Sequence, residues 1–382
     1  MTEFFSFENL TWPEVAALPR ETPLILPLGT NDDPLPMAAA LRDVPRAGLL
    51  PAIPFGWRGS GLEVPLPYLA AYVSSLLENL RQDGFRRLGV LLPGNLSLGL
   101  PSGIEHYRNA VSAPLLFPPA SARDKVILLP IGHTEQHGHH LPLATDTLII
   151  DAVSRGTAQV ADERAWSLPV MPYGVSMHRL DFAGTFSVGG RVFEDFWLAV
   201  IDALVARGFS RFYLLSGHGG NMSFLVNVVK YAGDRHPRIS GRQIFCATAF
   251  LYLSGPQGIT ALEKYRRSPL GGMGHACELE TSLVMHLHPG LVRTARVVDE
   301  MGFIATPSYY MDWIEGGALI ANPPWQDDTA TGAYGAGSLA TAEHGRLWLE
   351  AAIAEKVAHV DEIHEQFRRR SRPSPAGAMG AL

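Results

Sequence analysis

The chain has 382 residues, a formal net charge of -6 and a pI near 6.2, long enough for two domains of ordinary size around a substantial core. Its 31 Lys and Arg and 37 Asp and Glu are dispersed, leaving no cationic stripe for a phosphate backbone, which argues against nucleic-acid binding. Only Cys246 and Cys277 carry thiols, which excludes a disulfide framework and a thiolate zinc cluster. Any metal must then be held by imidazole and carboxylate.

The N-terminal MTEFFSFENL is acidic where a signal peptide would be basic, and no apolar run approaches a membrane span. A cytoplasmic protein without membrane contact is expected. Apolar runs predict strands at LILPLG (24–29), LLPAIPFG (49–56) and RLGVLLPGN (87–95), with an amphipathic helix YLAAYVSSLLENLRQDG (68–84) before the third. The same order then recurs. VILLPIG (126–132), SLPVMPYG (167–174) and RFYLLSGHGGN (211–221) match the strands, and FWLAVIDALVARG (196–208) matches the helix. Pro27 and Gly29 answer Pro130 and Gly132, and Gly84-Phe85 answers Gly208-Phe209, so the chain reads as a duplicated α/β half.

The first copy lacks the polar residues of the second. GTNDDPLPM stands where GHTEQHGHHLPL stands, and LLPGN where SGHGGN stands. Residues 1–115 are therefore expected to form a degenerate repeat without metal ligands, 116–370 a catalytic domain, and 371–382 a disordered tail, with the Pro- and Ala-rich joint near 112–124. After Asn221 come a helix, a strand RQIFCATAFLYL, a helix HACELETSLVMHLH (275–288), an irregular stretch over about 300–335, and a long last helix over roughly 336–370. Strands alternating with helices predict a three-layer α/β/α sandwich with a mainly parallel sheet.

Chemistry concentrates in LLPIGHTEQHGHHLPLATD (128–146), which follows a buried strand, where ligands bind in open α/β sheets. Glu135 and His137 are two apart and share a side of an extended segment, and Asp146 follows a proline turn. This hard carboxylate pair with imidazole suits zinc or manganese, and Asp146 is assigned the bridging role because a carboxylate can span two ions. His133, His139 and His140 cannot all be ligands as well and are expected behind the site, in contact with substrate or at the surface. His218, in SGHGGN, sits at another strand end, between glycines that let backbone approach closely. In GHACELETS, a helix begun by His275 would put His275 and Glu278 on one face and turn Glu280 away, which nominates Glu278 as the ligand and leaves Glu280 behind it.

The set EQHGHHLPLATD, YGVSMH with FAGTFS, SGHGGN and HACELETS, in this order over about 126–350, resembles the creatininase (creatinine amidohydrolase) family. The resemblance implies a binuclear metal hydrolase that opens a C–N bond of a cyclic or linear amide, with two divalent ions (Zn2+, Mn2+ or both) and a homo-oligomeric ring. It carries the metal-ligand role to Glu135, His137, Asp146 and His218, and the proton-shuttle role to His275. Creatininase has a glutamate where this chain has Gly220, so another carboxylate must complete the second metal, and Glu278 is the expected one. It also has a tryptophan just before the position of His275, where GGMG stands here, so creatinine itself is an unexpected substrate.

A small-molecule amide remains the expected partner, attacked by metal-activated water while His275 passes the proton to the leaving nitrogen. His178, Ser176 and Thr185 are expected to contact substrate, Trp313 to wall the pocket within the aromatic stretch 309–325, and His139 and Asn221 to support the ligands. The alternatives are a lactonase or peptidase of the same family and a metal-binding scaffold without turnover.

Overall fold

A computed structural model gives the fold, describing residues 2–29, 37, 40–109, 117–176, 182–313 and 316–370. Most of GTNDDPLPM, part of the joint, His178 and the tail 371–382 lie outside the described residues.

Strands β1 (Glu3–Ser6), β2 (Leu24–Pro27), β3 (Arg46–Leu49), β4 (Leu88–Pro93) and β5 (Ile104–Asn109) form one sheet in the order β1-β3-β2-β4-β5, parallel throughout. A second parallel sheet is built from β6 (Val126–Ile131), β7 (Ala165–Ser167), β8 (Arg211–Ser216) and β9 (Phe245–Thr248), in the order β7-β6-β8-β9. Helices α1 (Trp12–Ala16), α2 (Leu66–Gln82), α3 (Thr145–Ala161), α4 (Gly190–Ala206), α5 (Met222–Ser240), α6 (Pro256–Tyr265), α7 (Glu278–Leu287) and α8 (Ala342–Arg370) flank them. The expected α/β architecture is present. A small antiparallel sheet of β10 (Met273–His275), β12 (Tyr334–Ala336) and β11 (Asp299–Glu300) was not foreseen, because strands of two or three residues carry no periodic pattern.

The second sheet is buried on both faces, as parallel sheets are. Ile127, Leu129, Ile131, Phe212 and Leu214 point into a core shared with α2, α4 and α5, while Val126, Leu128, Tyr213 and Leu215 point into another with α3, α7 and α8. The shared core also takes Leu24, Leu26 and Leu28 of the first half, so the helices between the sheets serve both. Helices α2 and α4 suit that position. Leu69, Tyr72, Val73, Leu76, Leu77 and Leu80 on one, and Phe193, Phe196, Trp197, Val200, Ile201 and Leu204 on the other, recur at helical spacing and are buried. Each such side chain contributes about 1.5–3 kcal/mol by leaving water.

The two halves agree bond for bond. Leu24 pairs with Leu88 and Gly48 as Ile127 pairs with Phe212 and Trp166. Leu28 bridges Ile53 as Ile131 bridges Met171, and Gly29 N–H donates to Ile53 O (2.8 Å) as Gly132 N–H donates to Met171 O (2.9 Å). Strands β3 and β7 end sooner than their apolar runs, since Pro51, Pro54, Pro169 and Pro172 have no N–H for a ladder. The repeated Gly-Phe is a helix stop. Gly84 (φ 91°) and Gly208 (φ 95°) are left-handed, Phe85 N–H bonds Leu80 O at 3.0 Å, and Phe209 N–H bonds Leu204 O at 3.1 Å, the six-to-one closure of a Schellman motif.

Candidate metal centre

Three strand ends and two helix starts, of α3 and of α7 with Glu280, supply the polar cluster. Glu135 and His137 follow β6, Asp146 lies in the first turn of α3, His218 follows β8, and His275 ends β10. Glycine makes the approach possible. A Cβ at Gly132 would lie 2.5 Å from Thr147 Cα, and one at Gly217 would lie 2.4 Å from the Asp146 carbonyl oxygen, so α3 rests directly on both strand ends.

His218 Nδ1 lies 3.0 Å from Glu135 Oε1 and 3.3 Å from Asp146 Oδ2. The other oxygen of Asp146, Oδ1, lies 3.1 Å from His137 Nε2, which is also 3.8 Å from Glu280 Oε1. His275 Nδ1 is 3.7 Å from Glu135 Oε1. All six side chains are buried. Each imidazole spends its outer nitrogen on a backbone carbonyl: His137 Nδ1 on Glu135 O (3.2 Å), His218 Nε2 on Val175 O (3.0 Å), and His275 Nε2 on Gln136 O (2.6 Å). A carbonyl only accepts, so that nitrogen carries the hydrogen and the inner one faces the carboxylates. This is how metal-binding histidines are oriented.

The electrostatics fit a cation. Burial opposes charge on His137 and His218, yet Asp146 and Glu280 hold the first well above its ordinary pKa, and Glu135 and Asp146 raise the second to about 10. Glu135 is likewise held well below the usual carboxylate range despite burial, by His218 and His275. Among the described residues Asp146 Oδ2 is buried with no hydrogen-bond partner, its nearest nitrogen being the inward-facing His218 Nδ1, and His133 Nε2, 4.0 Å from Glu135 Oε2, has none either. Unpartnered buried oxygen beside inward-facing imidazoles is a donor set that a divalent ion satisfies. Three overlapping triads could hold one: Glu135 with His133 and His218, Glu135 with His137 and His275, and His137 with Asp146 and Glu280.

Glu278 is not among them. Its carboxylate accepts from Arg267 N–H (3.0 Å) and Ser268 N–H (2.8 Å), away from the cluster, and Glu280 turns inward in its place. The reason is local. His275 is on a strand, Ala276 takes a left-handed φ of 49°, and α7 begins only at Glu278, so the expected helix face joining His275 to Glu278 does not exist. Nor does Gly220 have room for the side chain found in creatininase, since a Cβ there would meet Val175 O at 2.4 Å.

The supporting residues divide. Asn221 joins three loops, accepting from Val175 N–H (3.0 Å) and donating to Gly132 O (3.4 Å) and Ser216 Oγ (3.3 Å). Thr185 Oγ1 accepts from Gln136 N–H at 3.1 Å and so steadies the ligand loop, and Ser176 is buried nearby in sequence to Val175. His133 stacks on His218 at 4.4 Å, with its Nδ1 accepting from Gly174 N–H at 2.9 Å, and burial pushes its pKa down to about 3. His140 is held by Thr281 (2.9 Å), whereas His139 is half-buried against Trp12 at 5.3 Å. Trp313, expected in the pocket wall, packs on Tyr252 (4.9 Å) within the core. Trp325 is the ring at the site, edge-on to His275 at 4.9 Å and backed by Tyr334. Nothing in its local sequence separates it from the other aromatics of that stretch.

The N-terminal segment also reaches this half. Leu143 and Ala144 N–H donate to Leu10 O and Glu8 O, Trp12 Nε1 donates to Thr331 O (2.8 Å), and Arg293 pairs with Glu14 at 3.2 Å. Burial opposes charge on Glu14, but Thr11 N–H, Arg293 and Arg296 outweigh it and lower its pKa below 4.5. A depressed carboxyl contributes stability above its unfolded value and loses it as pH falls through the lower folded value. Amide exchange at residues 8–17 is therefore expected to quicken below about pH 4.5 in the native chain, and Glu14→Gln should abolish that pH step.

Parallel α/β sheets with a buried carboxylate–imidazole cluster at the strand ends define a candidate metallohydrolase fold. The profile of the creatininase family, described as creatinine amidohydrolase, matches residues 117–360. The mycofactocin precursor peptide peptidase of Mycobacterium ulcerans is 32% identical over 263 residues, 66% of this chain and 88% of that protein. The creatinine amidohydrolase of Pseudomonas putida is 30% identical over 254 residues, 65% of this chain and 92% of that protein. A solved structure described as creatininase Mn aligns with a TM-score of 0.53 and 28% identity over 65% of this chain and 93% of its own. The chain belongs to the creatininase family, and its relatives are hydrolases. Among the described residues no helix is long and apolar enough to cross a membrane.

Proposed function

We propose that the chain is a binuclear, metal-dependent amidohydrolase that cleaves a C–N bond of a small cyclic or linear amide. The observation that carries this is the position of Asp146, whose two oxygens face different imidazoles, His218 at 3.3 Å and His137 at 3.1 Å. Glu135, Asp146 and His218 would hold one ion, and His137, Asp146 and Glu280 the other, with zinc or manganese suited to the donors. Such ions supply a water made acidic and a polarised carbonyl. His275, with Nδ1 directed at the cluster and Nε2 fixed by Gln136 O, takes the proton of the attacking water and returns it to the leaving nitrogen. The carbonyl bond to Gln136 keeps the ring aimed as it does so.

In the same reading, residues 1–115 are a metal-free copy of the catalytic half, supported by the matching strand order and register. The working state is a homo-oligomer in the cytoplasm. A peptide amide is the second reading for the substrate, since the Mycobacterium ulcerans relative is a peptidase. Elemental analysis of purified protein, with chelation and add-back, tests the centre. Zinc, manganese or iron near two per chain and activity that tracks them are expected, whereas a chain that neither contains nor accepts these metals overturns the proposal. Assay of ring amides, lactones and short peptides separates the substrate classes.

A further inference from the structure

A cleft of about 1420 Å³ opens over the carboxyl ends of β2, β3 and β4, and none of the residues proposed as metal ligands lines it. Its location is significant because of the shared register. Continuing the match between the halves beyond the strands, Gly29 falls where Gly132 stands, Trp57 where Val175 stands, and Gly94 where His218 stands; Gly29, Trp57 and Gly94 all line the cleft. Among the described residues, the first half thus leaves a cavity at the strand ends that in the second half carry the polar cluster. The carboxyl ends of parallel strands are where open α/β sheets bind ligands.

The lining has a definite chemistry. Three aromatic side chains contribute, Trp57, Phe117 and Trp166, the last two stacked at 6.5 Å and 18°. Two opposite charges sit beside them on one loop. Among the described residues the exposed Arg58 guanidinium has no ion-pair or hydrogen-bond partner, and the exposed Glu63 carboxylate accepts only from Gly59 N–H at 2.9 Å. The other charged pair in the wall, Asp151 with Arg155 at 3.0 Å, neutralises itself. A cation and an anion that have no charged partner among the described residues, beside aromatic surface, match a molecule that carries both charges and a ring. The volume exceeds that of a single amino acid and is above the usual range for small-ligand pockets, about 300–1,000 Å³.

We propose that this cleft is a second, metal-independent binding site for a short zwitterionic aromatic peptide, with its carboxylate on Arg58, its ammonium on Glu63 and its rings on the aromatic wall. Titration calorimetry on the full chain, metal-loaded and after chelation, tests it with L-phenylalanyl-L-phenylalanine as the probe. Its N-acetyl form (anion), its C-terminal amide (cation) and diglycine (no ring) are the controls. The dipeptide is expected to bind equally before and after chelation, each capped form about tenfold more weakly, and diglycine not at all. Arg58→Glu, at an exposed position, should weaken the dipeptide by tenfold or more. Loss of binding on chelation would move the ligand to the metal centre and overturn the proposal. Equal binding of the capped forms, or no effect of Arg58→Glu, would overturn it as well, and so would absence of binding. None of these outcomes depends on whether the metal centre is catalytic.

Discussion

Glu280→Gln is expected to remove one of the two proposed ions from the centre, while Glu278→Gln leaves the metal in place and lowers stability. The two glutamates are one helical step pair apart on α7, both buried, and have opposite assignments. Glu280 Oε1 is 3.8 Å from His137 Nε2, a separation that a shared ion would fill, and among the described residues no backbone donor is drawn to it. Removing its charge leaves His137 and Asp146 to hold an ion alone, and metal affinity should fall by about 100-fold or more, beyond the 10–100-fold usual for outer partners. Glu278 instead anchors the turn at Arg267 and Ser268 through charge-assisted bonds of 2.8–3.1 Å. Weakening them should cost about 2 kcal/mol in urea denaturation. Elemental analysis beside a denaturation curve for each variant reads both outcomes, and the reverse pattern would exchange the roles.

His275→Ala should lower turnover by about 10²- to 10⁴-fold, the range general acid–base groups contribute, while the protein keeps its metal. The distinction matters because His275 also falls in a triad with Glu135 and His137 that could itself hold an ion. A shuttle and a ligand both abolish activity when removed, so only metal content separates them. His275 is the most loosely tied of the three imidazoles, 3.7 Å from its nearest carboxylate against 3.0 Å for His218 and 3.1 Å for His137. Its ring is further confined by the edge contact with Trp325 at 4.9 Å. Burial, with His137 beside it, lowers its pKa, which favours the neutral ring that a proton acceptor needs.

Much of the cluster was legible because it obeys a rule that needs no tertiary knowledge. Glu135, His137 and His218 follow uninterrupted buried strands, and side chains at such ends converge in a parallel sheet. The matching strand order of the two halves was legible for a similar reason, since Pro27, Gly29, Gly84 and Phe85 mark backbone events that Pro130, Gly132, Gly208 and Phe209 repeat. What escaped depends on single dihedrals. A left-handed Ala276 is not written in its residue type, yet it decides which glutamate turns inward. Trp313 and Trp325 lie in one irregular stretch, and only the pairing of β12 with β10 determines which of them meets His275. The N-terminal segment was read as part of a remote repeat, because a chain crossing to another sheet through Leu10, Trp12 and Glu14 leaves no periodic trace.

The core between the sheets bears on how this chain can be cut. Tyr72 donates to Tyr173 O at 2.7 Å, Tyr173 donates to Pro51 O at 2.7 Å, and the Tyr72 and Phe196 rings meet at 4.6 Å. A fragment starting near residue 117, where the family match begins, would bare Tyr173, Phe196 and Trp197 to water in one apolar sheet of surface. Such a fragment would aggregate rather than report on catalysis. Any exchange of the family-matched part of this chain for a relative's must therefore supply an equivalent apolar face for the first half to pack on.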